Sequence, residues 1–127
     1  MTQNRPVNIN LLKIKLPLSA FLSITHRISG ILIFFIVLPV SVFIFSELTQ
    51  SQDSFNNFMI MYHKNLGIKF GCVSLILIFQ YHIFTGVRHI LMDFHILNAS
   101  LSSSYKSAVT TLVLFAVNAL LTLWVML

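Results

Sequence analysis

An all-α membrane protein with three transmembrane helices is what this sequence predicts, and three observations predict it. Of its 127 residues, 57% are hydrophobic and only 9% charged. Mean hydropathy is +0.88. The apolar residues gather into three long runs, with the 8 Lys+Arg and 3 Asp+Glu concentrated at or beyond their ends. A soluble domain normally carries about a quarter charged residues, so water is not the main solvent here. The same figures exclude disordered, collagen-like and disulfide-framework classes. Cys72 is the only cysteine, so it has no internal partner and is read as a packing residue.

Each run meets the need of a bilayer core about 30 Å thick, which takes roughly 20 helical residues to cross. The chain reads as a single anchor domain: a polar segment 1–20, then helices over about 21–46, 68–92 and 108–127. The first contains Pro39, which removes a backbone bond and predicts a kink. No small-residue cleavage site follows this run, so it is expected to remain in the mature protein. Polar loops are expected over 47–65 and 93–106, with the Ser-rich stretch 100–107 as a short linker.

Positive charge sets the orientation. Arg5, Lys13, Lys15, Arg27, Arg88 and Lys106 belong to the N-terminal side and the second connection, and only Lys64 and Lys69 to the first connection. The N-terminus is therefore expected in the cytoplasm and the C-terminus outside. The few basic residues flank apolar runs and form no stripe, so the net charge of +5 speaks for a bilayer and against nucleic acid.

Polar groups inside a span are costly and need a partner or a task. They fall in two clusters, Ser23, His26, Arg27, Ser29 and Gly30 on the first helix and His82, Gly86, Arg88, His89 and Asp93 on the second. Antiparallel helices bring both toward the cytoplasmic side, which suggests one shared polar site. Ser23, Arg27 and Gly30 share a helical face, where a hydroxyl and a guanidinium can donate to a carbonyl or an anion. The alternative for Arg27 is snorkelling to headgroup phosphates. His82 and His89 are seven residues apart, about 10.5 Å along a helix, and so cannot ligate one iron together. His82 is the deeper, with Gly86 beside it leaving room for a flat macrocycle; the competing reading is a hydrogen-bonded core histidine. Asp93 reads as part of a solvated ion-pair cluster. Tyr62, His63, Lys64 and Trp124 suit interfacial anchoring, His95 a loop, and Asn118 an interhelical bond.

Two strings carry a resemblance. Arg5-Pro6-Val7-Asn8, then Pro17 and Ser23-Ile24-Thr25-His26-Arg27-Ile28-Ser29-Gly30, together with His82-Ile83-Phe84-Thr85-Gly86-Val87-Arg88-His89 followed by Met92-Asp93, resemble the large cytochrome b membrane anchors of succinate dehydrogenases. The likeness extends over nearly the whole chain; Thr25, where an apolar residue is expected, and Pro39 depart from it. It implies that Ser23 and Arg27 contact a quinone head group and that His82 is the axial ligand of haem b iron. It further implies that His26 and Arg27 lie near a haem propionate, while His89 has no ligand role and Arg88 and Asp93 serve the cytoplasmic interface. The haem would be shared with a second membrane-anchor subunit, because no second intramembrane histidine here reaches the same iron. An iron–sulfur subunit, against which the Arg5-Pro6 segment would pack, and a flavoprotein subunit complete the implied complex. The N-terminal wording favours a bacterial inner membrane over a mitochondrial one.

This resemblance implies succinate oxidation with quinone as acceptor. The chain has no flavin, nucleotide or cysteine-cluster motif and so holds no complete reaction. Three alternatives stay open: the anchor of a quinol-fumarate reductase, a small ion-transporter or channel subunit lined by Arg27 and His82, and a structural protein whose polar groups only join helices.

Overall fold

In the computed structural model, which describes residues 16–98 and 100–127, every regular element is helical. Helix α1 spans Leu18–Gln50, α3 Leu66–Asp93 and α4 Leu101–Met126, and these three are long and apolar enough to cross a membrane. A short helix, α2, occupies Gln52–Lys64 between the first two. Residues 1–15, with Arg5, Pro6, Lys13 and Lys15, lie outside the described residues.

Pro39 does not end α1. The irregularity sits just before it, as a π turn at Ile33–Val37 in which the Leu38 N–H donates to the Ile33 carbonyl. A proline ring crowds the carbonyl four residues earlier, here that of Phe35, and a π turn widens the backbone at that point.

Most of the 47–65 stretch, expected as a loop, is helical in α2. Its start is capped by Ser51, whose Oγ accepts from the Ser54 N–H at 3.1 Å, and Asp53 sits in its first turn. Asn65 then caps α3, its Oδ1 accepting from the N–H groups of Gly67 (2.9 Å) and Ile68 (3.3 Å). Likewise most of the Ser-rich stretch is no linker. Ser100 Oγ accepts from the Ser103 N–H at 3.3 Å and starts α4 seven residues earlier than the apolar run does. A cap side chain satisfies orphan backbone donors and lets polar residues open a helix.

Helix α3 ends in a Schellman-type turn: the His95 N–H donates to the Met92 carbonyl and the Ile96 N–H to that of Leu91, both at 3.0 Å. His95 holds the left-handed conformation at φ 57° that glycine usually takes there.

The bundle buries few apolar side chains, namely Leu22, Val37, Val73 and Ala108 among the described residues, and leaves wide apolar faces outside. Polar links join the helices instead. Thr25 bonds the Tyr81 hydroxyl, which explains a polar residue at that site. Gln80 Nε2 donates to Thr122 Oγ1 at 2.8 Å. Asn118, the expected interhelical amide, makes no side-chain hydrogen bond among the described residues; its backbone carbonyl accepts from Thr122 Oγ1 on the same helix. At the far end, the Tyr62 hydroxyl and Lys69 Nζ donate to the carbonyls of Met126 (2.9 Å) and Leu127 (2.8 Å).

Candidate functional site

Helices α1 and α3 run antiparallel, so the start of one lies against the end of the other. There the imidazoles of His26 and His82 stack, with ring centroids 4.2 Å apart and planes 9° from parallel. His89 tilts against His26 at 5.1 Å and 47°. Two glycines permit the approach. A Cβ on Gly30 would stand 3.3 Å from His82 Cε1, and one on Gly86 3.1 Å from His26 Nε2, tighter than ordinary van der Waals contact. Each helix thus sets its glycine under the other's histidine. The space at Gly86 expected for a macrocycle is taken by the His26 ring.

Ser29 is 5% exposed, and its hydroxyl donates to the His26 carbonyl at 2.7 Å and stands 2.9 Å from His82 Nδ1. One imidazole nitrogen of His82 is therefore held by the protein and the other, Nε2, has no hydrogen-bond partner among the described residues. Ligating histidines commonly show this arrangement, in which an outer hydrogen bond fixes the ring so that the opposite nitrogen can bind metal. His82 therefore fits an axial role at a haem iron. His26 does not fit as the second ligand to that iron: imidazole lone pairs lie in the ring planes, and two stacked, near-parallel planes cannot direct them at one metal from opposite sides. Nor does any group of three or more metal-binding side chains occur among the described residues.

The two expected clusters are thus only partly one site. His26, Ser29, Gly30, His82, Gly86 and His89 form a knot between α1 and α3, whereas Ser23 is half-buried and Arg27 exposed. Neither of these two has a side-chain hydrogen bond within the described residues. Arg88 departs from its expected interfacial place. It is 3% exposed, and its Nε donates to Ser107 Oγ while Nη2 donates to the Ser104 carbonyl and hydroxyl, each at 3.2 Å. Serines at i and i+3 on α4 were the available signal for this contact. Asp93 is exposed and makes no ion pair with Arg88. The Nε2 of His89 is buried without a partner.

The family model described as succinate dehydrogenase/fumarate reductase transmembrane subunit matches residues 1–124. The chain is 36% identical over 93 residues to the succinate dehydrogenase cytochrome b556 subunit of Coxiella burnetii, covering 73% of this chain and 74% of that one. It is 34% identical over 112 residues to the succinate dehydrogenase cytochrome b560 subunit of Porphyra purpurea, covering 87% and 88%. Against the b560 subunit of Chondrus crispus the figures are 35% over 100 residues, with 72% of each chain covered.

Proposed function

The chain belongs to the succinate dehydrogenase/fumarate reductase transmembrane subunits, and from that premise we propose that it holds one face of a b-type haem through His82 and offers quinone a donor pair, Ser23 and Arg27. The observation that carries the reading is the Ser29 hydroxyl at 2.9 Å from His82 Nδ1, which leaves Nε2 for a metal. When bound, the haem would supply one-electron redox chemistry.

The remaining chemistry falls to this chain's own side chains. Ser29 orients the His82 ring, and His26 stacks against its face, which excludes water and limits rotation. Arg27 and Ser23 donate to a quinone carbonyl as it gains electron density, a preorganised stabilisation worth most where water is scarce. His26 and Arg27 also lie on the turn suited to a haem propionate. His26 is stacked on the His82 ring and would not bind the same iron, so any further protein ligand to the haem would come from another anchor subunit. Electrons reach this site from an iron–sulfur subunit, supplied in turn by a flavoprotein subunit that oxidises succinate. The chain sits in a bacterial inner membrane with its N-terminus in the cytoplasm.

The test is a dithionite-minus-air difference spectrum of the purified complex, with quinone reduction assayed beside reduction of a soluble dye. His82→Ala should abolish or displace the b-type bands. Ser23→Ala and Arg27→Ala should lower quinone reduction while leaving dye reduction unchanged. An unaltered haem spectrum in His82→Ala removes that residue as ligand.

A further inference from the structure

On the flank of α3 turned away from the histidines, α3 and α4 enclose a half-open cavity of about 510 Å³. Its end nearest the α3–α4 connection is basic. Arg88 lines it with the guanidinium pinned by Ser104 and Ser107, and Nη1 is left without an acceptor among the described residues. Lys106 and Ser103 line the same end, and their Nζ and Oγ likewise have no acceptor there. The nearest acid in sequence, Asp93, is exposed and does not line the cavity. Deeper in the span the wall turns apolar, with Ile83, Phe84 and Leu114. Ile83 lies about 7.5 Å below Arg88 along α3, and Leu114 about 12 Å below Lys106 along α4, at 1.5 Å per residue.

We propose that this cavity seats an anionic phospholipid, its phosphate on Arg88, Ser103 and Lys106 and one acyl chain along Ile83, Phe84 and Leu114. A desolvated guanidinium with a spare donor calls for an anion, and basic pockets between spanning helices suit anionic headgroups. A free phosphate would use only the polar end. The apolar depth of the cavity argues for a lipid, and the site stands independently of the haem and quinone assignments.

The test uses the intact complex, delipidated in detergent and followed by native mass spectrometry. It is titrated with palmitoyl-oleoyl phosphatidylglycerol, with phosphatidylcholine of the same chains, and with inorganic phosphate. The wild type should prefer phosphatidylglycerol. Lys106→Gln should reduce that preference about fivefold, as expected for loss of one cation near the headgroup, and Lys106→Arg should restore it. Lys106 is exposed, so these variants keep the helix contacts; Ser103→Ala is the second probe and should also weaken the preference. Equal binding of the two lipids, or a preference unchanged in both Lys106→Gln and Ser103→Ala, overturns the proposal. So does displacement of phosphatidylglycerol by inorganic phosphate at equal concentration, which would mark a simple anion site.

Discussion

Ser29 shows how much of a site can rest on one small side chain. Its hydroxyl bridges α1 to the His82 ring, and Ser29→Ala would leave Nδ1 without its partner. Loss of such an outer hydrogen bond weakens metal-site affinity by about 10- to 100-fold, so the variant complex should purify with less haem per flavin, measured by pyridine haemochrome. Normal haem content would show that the ring is oriented by other contacts. Gly86 makes the same point through space. Because a Cβ there already meets His26 Nε2 at 3.1 Å, Gly86→Val should cost about 1–3 kcal/mol and lower the temperature of haem loss. The types and spacings of these residues were legible in the sequence. That Gly86 receives His26, and Ser29 receives His82, was not, because those pairings depend on the relative height and rotation of two helices.

At the scale of elements, the ends of helices were harder to read than their apolar middles. Serine and asparagine caps at positions 51, 65 and 100 turn stretches of polar residues into helix, and hydropathy alone takes such stretches for loops. The end of α3 offers a test. His95 holds φ 57° in the closing turn, where an L side chain costs about 1–2 kcal/mol and glycine nothing. His95→Gly should therefore raise the thermal-inactivation midpoint of the complex or leave it unchanged; a clear fall would reveal a partner for the imidazole. Between elements, the Gln80 to Thr122 bond should contribute only about 0.6 kcal/mol in a double-mutant cycle, since amides in a bilayer find other partners when a bond is removed. Arg88 should matter more. Ser104→Ala with Ser107→Ala removes two of the three bonds that hold a buried guanidinium, leaving only the one to the Ser104 carbonyl, at a cost of about 1–3 kcal/mol, measurable as lower thermal stability of the assembled complex.

The whole molecule is an incomplete object in water. Its helices meet through hydroxyls, imidazoles, an amide and a guanidinium, and many of its large apolar side chains, such as Phe34, Phe35, Phe43 and Phe45, face outward. Such a surface suits lipid and neighbouring subunits. Orientation is checked with an impermeant maleimide on intact cells, in a Cys72→Ser background. Gln52→Cys, at the start of α2, should be labelled directly, and Ser102→Cys, at the start of α4, only after permeabilisation. The reverse pattern would overturn the cytoplasmic placement of the N-terminus.

By itself, the sequence determined the membrane as solvent, the three spanning helices, and the two polar strings that carry the resemblance to succinate dehydrogenase anchors. These properties follow from composition, run length and local spacing, which a chain displays before it folds. Only the tertiary structure decided how the polar residues divide. His26 and His82 stack over paired glycines, Ser29 holds one ring, Arg88 turns from the expected interface into the serines of α4, and Ser23 and Arg27 bond no side chain among the described residues. Those outcomes depend on which face of each helix meets its neighbour. In a bundle with so small an apolar core, that choice is made by close backbone approach and interhelical hydrogen bonds, and hydropathy contains no record of either.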